Sequence, residues 1–191
     1  MPHTPITHTL KASTLAAIAA TTGLAALGAA PAHADHHKQR SAQAPDIVAT
    51  AMSTGVHNTL VAAVKAAGLV ETLQSPGPFT VFAPTDTGFA KLPAGTVPTL
   101  LKPENKGTLT NVLTYHAVAG KVTAGDLVRL INQHGGSYTI KTIAGGTLEA
   151  RLSGDAVIIT DAKGRASAVT KTDVMTSNGV IHVTDGVFLP A

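Results

Sequence analysis

The stretch Phe79-Thr80-Val81-Phe82-Ala83-Pro84-Thr85-Asp86-Thr87-Gly88-Phe89-Ala90-Lys91-Leu92 decides the fold of this chain. Phe79, Val81 and Ala83 alternate with Thr80 and Phe82, which predicts a β-strand apolar on both faces. Pro84 has no N–H to give a ladder and should end that strand. Thr85 and Asp86 follow as N-cap candidates, since their side-chain oxygens can accept the orphan amides of a first helical turn. Phe89 and Leu92 recur at i and i+3 and give a short helix one apolar anchor face. Strand, stop, cap and anchor within so few residues specify a fold element. They specify no chemistry.

Outward from this stretch, helical periods dominate one side and strand periods the other. From Pro45 the pattern is helical, with Leu60, Val61, Val64 and Ala67 on one face and Gly68 placed as a C-cap. Leu109, Val112 and Leu113 give a further helix. Thr123-Ala124-Gly125-Asp126 is a capping-box variant, continued by the stripe Leu127, Leu130 and Ile131, which ends at Gly135 and Gly136. Beyond Ser137 the period becomes two, and Leu148, Ala150 and Leu152 alternate with Thr147, Glu149 and Arg151. Ala144-Gly145-Gly146, Ser153-Gly154-Asp155 and Lys163-Gly164 read as turns. Asn178-Gly179 suits a type I′ turn before the strand Val180–Val183. Helices gathered before strands argue for a single α+β domain over residues 46–190.

The first 34 residues read as a signal peptide. Lys11 precedes an alanine-rich apolar run from Leu15 to Ala30, and Ala32-His33-Ala34 is a small-x-small cleavage pattern. Residues 35–45 read as a flexible polar leader. Secretion or export to the periplasm, with cleavage near Ala34, is the expectation, and no second apolar run offers a transmembrane segment in the mature chain. Removing 34 of 191 residues leaves 157, enough for one core without a disulfide, and the chain has no cysteine. The mature chain carries 13 basic residues against 11 acidic, because only Lys11 leaves with the signal peptide. The cations are scattered, and with no Trp the chain has neither the charge stripe nor the stacking platform that nucleic acid requires. A Gly-x-Ser-x-Gly elbow, a Gly-x-Gly-x-x-Gly loop and a Walker loop are all missing, and the acids form no pair in sequence. An enzyme is not expected, and neither is a cofactor.

Three segments carry a resemblance to the fasciclin (FAS1) domain family, of the bacterial secreted single-domain type. Phe79–Leu92 is similar to the family's first signature. Asn111-Val112-Leu113-Thr114-Tyr115-His116-Ala117-Val118-Ala119-Gly120 resembles its central tyrosine–histidine motif. Asn178-Gly179-Val180-Ile181-His182-Val183-Thr184-Asp185-Gly186-Val187-Phe188-Leu189-Pro190 resembles its final signature. The resemblance implies a β-wedge flanked by helices and a non-catalytic adhesion or binding module. Its partners would be cell-surface, matrix or envelope proteins or glycans. It also implies an alternative, a carrier of an apolar ligand such as a carotenoid, against which the low aromatic content weighs.

The candidate site residues come from two sources. The resemblance implies adhesion roles for Tyr115 and His116, flanked by Val112, Leu113 and Val118, and for Asp173 and Val174 just before the final signature. The residues themselves give His116 a second reading. Whether the helix continues to it or the chain is extended there, it lies beside Leu109, Val112 or Val118, which predicts a core histidine with hydrogen-bond partners. His182, Asp185 and Gly186 read as structural. Independently of the family, cleavage after Ala34 would free an amine at Asp35-His36-His37. A histidine in the third position can hold Cu(II) or Ni(II) in a square plane with that amine and two deprotonated amides.

Overall fold

Phe79–Leu92 folds as its residue order dictates. In the computed structural model, which describes residues 44–191, β1 (Phe79–Pro84) runs into α4 (Asp86–Ala90), and Thr85 between them is the N-cap, its hydroxyl accepting the Gly88 amide. Before them lie α1 (Ile47–Ser53), α2 (Asn58–Ala67) and α3 (Val70–Gln74). After them come α5 (Thr96–Leu100), a 3-10 turn, α6 (Lys106–Tyr115), β2 (Ala117–Ala119) and α7 (Ala124–Gln133). The chain then runs through β3 (Ser137–Lys141), β4 (Thr147–Ser153), β5 (Ala156–Thr160), β6 (Ala166–Thr176) and β7 (Gly179–Thr184). The α+β reading holds, and the expected caps are in place. Gly68 closes α2 in the left-handed conformation, and Thr123 with Asp126 forms the capping box of α7. The cleavage region and the Asp35-His36-His37 metal candidate lie outside the described residues.

The seven strands make one sheet in the order β2-β1-β7-β6-β5-β4-β3. β1 pairs parallel with β7 and antiparallel with β2, so it is covered on both edges as well as both faces. That is why apolar side chains occupy both of its faces. Val81 and Ala83 point into one core with Ile47, Leu60, Phe89, Leu113 and Ile181, while Phe82 points into a second with Tyr115, Leu127, Ile131, Leu148, Ile159 and Phe188. β1 is thus the wall between a helix-covered core and one wrapped by the sheet and α7. Thr80, fully buried in this wall, donates to Gly120 O at 2.7 Å and accepts the Val122 amide at 2.8 Å, so its hydroxyl is satisfied. Past the end of β3, the amide of Ile143 donates to Ala117 O at 2.8 Å, which draws the sheet's two outer strands toward closure.

One turn differs from its expectation. β6 and β7 are joined through Ser177 and Asn178, with Thr176 opposite Gly179, so Gly179 is the first strand residue rather than the second turn residue. Its φ is not positive. Glycine is required there for another reason, because a Cβ would run into the carbonyl oxygen of Phe79 on β1. Asn178 fixes the shift. Its amide nitrogen donates to Leu73 O at 2.7 Å and Ser75 O at 3.1 Å, and its oxygen accepts the Ile47 amide at 3.0 Å. Three tertiary bonds on one side chain outweigh the local preference of an Asn-Gly pair.

Candidate functional site

The tyrosine–histidine motif sits where α6 ends and β2 begins. The helical stripe sends Leu109, Val112 and Leu113 into the helix-covered core, and Tyr115, the last helical residue, crosses into the other. Its ring lies against the turn before β4, so close that a Cβ on Gly146 would meet its Cε2 at 2.6 Å. The phenol donates to Thr147 O at 2.5 Å and accepts the Ala162 amide at 3.1 Å. Burial raises its pKa above the ordinary tyrosine value.

His116 caps the helix. Nδ1 lies 2.8 Å from Val112 O, a carbonyl of the last turn, and Nε2 accepts the amide of Phe188 at 2.9 Å. The Phe188 amide can only donate, so Nε2 is bare, the proton sits on Nδ1 and the ring is neutral. The ring stacks on Phe188 at 5.0 Å. Burial, opposed by the Val112 carbonyl and the Asp161 charge, lowers its pKa to about 4. Both nitrogens are committed to backbone groups, so His116 has no lone pair to offer a substrate.

Asp161, which the sequence reading missed, completes this region. Its carboxylate is buried and accepts the amides of Lys163 at 2.9 Å, Arg165 at 3.0 Å and Leu189 at 3.0 Å. Its Oδ2 also accepts from Nε and Nη2 of the Arg165 guanidinium, at 3.0 and 2.6 Å. Burial works against its charge. The Leu189 and Arg165 amides and the guanidinium outweigh that and hold its pKa below the usual carboxylate range. The signal was present in Asp161-Ala162-Lys163-Gly164-Arg165, an Asx-type turn closing on its own cation.

Asp173 and Val174 lie elsewhere, in a bulge of β6 where the register against β7 slips. Asp173 is in the left-handed region, at φ 56°, and its carboxylate accepts the Ala124 amide at 2.9 Å, which adds a second cap to α7. Its own amide points to Nδ1 of His182 at 3.4 Å, and Nε2 of that fully buried ring lies 2.9 Å from Val122 O. Val174 packs against the helix-covered core, and Met175 beside it is half exposed. Asp173 is therefore a half-buried residue of the bulge.

The structure thus divides the candidate site residues. Tyr115, His116, Val112, Leu113 and Val118 are all buried, with Tyr115 at 1% and His116 at 2% exposure, and as folded they present no surface to a partner. Their burial follows from the α6 stripe and from the hydrogen bonds that satisfy both polar rings. Asp173 and Val174 reach the surface on β6. Among the described residues no cluster of three or more His, Asp or Glu side chains could hold a metal ion. Two apolar cavities beneath α1, α2 and α6 have volumes of about 30 and 10 Å³. A ligand chamber usually needs roughly 300–1,000 Å³, so neither holds a carotenoid without opening. No helix among the described residues is long and apolar enough to cross a membrane.

The comparisons with known proteins agree with this architecture. The Fasciclin domain profile matches residues 55–190. Protein sll1483 of Synechocystis sp. is 48% identical over 144 residues, covering 75% of this chain and 73% of the relative. Transforming growth factor-beta-induced protein ig-h3 of Sus scrofa is 35% identical over 131 residues, which cover 69% of this chain but 17% of that much longer protein. A solved FAS1 domain pair from the insect cell adhesion molecule fasciclin I superposes with a TM-score of 0.69 at 21% identity, covering 77% of this chain and 51% of that one. The chain belongs to the fasciclin domain family.

Proposed function

We propose that this protein is an exported, non-catalytic adhesion module that binds a cell-surface, matrix or envelope protein or glycan through its outer surface. Family membership supports the class, and the insect relative of the same fold is part of a cell adhesion molecule. The single observation that carries the non-catalytic half is the state of the polar motif. His116, Tyr115 and Asp161 are each saturated by backbone partners, so they hold the fold and leave no reactive group free. The contact falls on the exposed part of β6, where Lys171, Thr172 and Met175 face solvent beside Asp173 and Val174. Tyr115 and His116 act on adhesion by holding this scaffold. Export follows from the alanine-rich leader, with cleavage after Ala34.

A pull-down with the mature protein, residues 35–191, from solubilised envelope of the producing cells and from host matrix tests the class. Specific, saturable capture of one protein or glycan supports it. Capture of a carotenoid or other apolar small molecule without any macromolecular partner would instead favour the carrier reading.

A further inference from the structure

The last buried segment of the chain is held without a strand ladder. Val187 packs in the helix-covered core and Phe188, fully buried, in the sheet-wrapped one, so the segment closes the seam between them. Phe188 meets Phe82 edge-on at 6.1 Å and His116 face-on at 5.0 Å. Its two successive amides do not go to backbone carbonyls. Phe188 N–H donates to Nε2 of His116, and Leu189 N–H donates to Oδ2 of Asp161. Both acceptors are titratable, and each loses acceptor capacity on gaining a proton.

We propose that Val187–Leu189 is an acid-releasable clasp, locked at neutral pH by His116 and Asp161 and let go when those two side chains take up protons. A proton on Nε2 would set a ring N–H against the Phe188 N–H, two donors facing each other in a buried site, and would put a cation under the Phe188 ring. A proton on Asp161 weakens its hold on Leu189 and on the Arg165 guanidinium together. The two events push the segment the same way. Around His116 the other ionisable groups are Tyr115 next to it, Asp161 and Arg165 on the β5–β6 connection, and His182 across Phe82. Upstream, Asp185 ties the start of the segment to β6 through the Ala168 amide and to Lys91 at 2.8 Å. That tether is the hinge about which residues 187–191 swing.

The direction and window follow from linkage. His116 is held neutral to about pH 4 in the closed form, and exposed to water it returns toward its ordinary value of 6.5. The open form therefore binds one more proton between these limits, and its population rises about tenfold for each pH unit lost. Below about pH 4 His116 takes up its proton in the closed form as well, and Asp161 then carries the release to lower pH, because the open form binds the carboxylate proton below its ordinary value of 3.8. The device is independent of the partner in the proposed function.

Amide hydrogen exchange followed by NMR on the mature protein between pH 7 and 3.5 tests the clasp, with each amide's intrinsic exchange rate divided out. The expected result is an opening at Phe188 and Leu189 that exceeds that of the most protected β4 and β5 amides. It should grow about tenfold per pH unit below 6.5. In Asp161→Asn the portion below 3.8 should disappear while the upper portion stays. The proposal is overturned if Phe188 and Leu189 share the opening constant of β4 and β5 at every pH. A local opening with no pH dependence between 6.5 and 4 would overturn it equally.

Discussion

The carboxylate of Asp86 accepts the backbone amide of Thr59 at 2.7 Å, so a residue of the strand–helix element at Phe79–Leu92 caps a helix 27 positions earlier in the chain. The same carboxylate accepts the amide and side chain of Asn58 at 3.3 and 3.1 Å. His57, the N-cap residue of α2 by position, supplies no cap. Its Nδ1 is 2.7 Å from the Thr54 hydroxyl, and its buried Nε2 finds no hydrogen-bond partner among the described residues. Asp86 thus joins two helices at their N-termini, where both dipoles favour its charge.

Replacing Asp86 by Ala should cost about 1–2 kcal/mol, the upper range for an N-cap. Burial opposes its charge, but the bonds from Thr59 and Asn58 prevail and lower its pKa. A carboxylate with a depressed folded pKa stabilises above its unfolded value, and that contribution is lost as pH falls through the folded one. Urea titrations of both proteins at pH 7 and pH 3 check this, and the gap between them should narrow at pH 3.

Phe89 anchors α4 at 8% exposure, and Phe89→Ala should cost about 3–5 kcal/mol through the cavity it leaves. Thr85→Ala removes one long cap bond of 3.3 Å to Gly88 and should cost about 1 kcal/mol. Equal small losses in a denaturation series would contradict the anchoring role of Phe89.

Gly179→Ala should destabilise by about 1–3 kcal/mol or more, because its Cβ collides with the Phe79 carbonyl in the central parallel pair. Gly55→Ala, at φ 69° with open space around it, should cost only the strain of its backbone. Melting temperatures of the two variants separate close approach from backbone conformation.

Much of this architecture is legible in the sequence, because its signals are local. The β1 alternation, the Thr85 cap, the capping box at Thr123 and the Gly68 stop each act within four or five residues. What escapes is what depends on distant partners. Asn178 overrides the turn its neighbour suggests by bonding to α3 and α1, and Asp86 caps a helix far upstream. The fate of His116 could be narrowed to a core position from the apolar residues on either side. Its second bond, to Phe188, spans 72 positions and leaves no trace in either segment. Asp173 owes its left-handed backbone and the helix it caps to the β6 bulge, which depends on how β6 registers against β7.

At the N-terminus, secreted protein should begin at Asp35 by mass spectrometry. That form should bind Cu(II) or Ni(II) through its amine, two amides and His37, with affinity rising with pH as protons leave. Titration calorimetry should find the site lost on acetylation or in His37→Ala and largely kept in His36→Ala. Copper bound equally well by the acetylated form would exclude that geometry.

His116→Ala orphans the Val112 carbonyl and the Phe188 amide and should cost about 2–4 kcal/mol. Any adhesion it loses above its melting point should return when the protein is assayed well below it.

Retention of the mature protein on intact producing cells, measured for Asp173→Asn with Met175→Ala and for His116→Ala beside the wild type, separates a contact on β6 from one at the buried tyrosine–histidine motif. Asn keeps the acceptor for the Ala124 amide, so the β6 variant should melt like the wild type. This variant should lose about tenfold or more in retention, the effect of about 1.4 kcal/mol at a contact. His116→Ala, assayed where it is folded, should bind like the wild type. Full retention by the β6 variant, with binding abolished in folded His116→Ala, would move the contact from β6 to His116 and contradict a β6 adhesion surface.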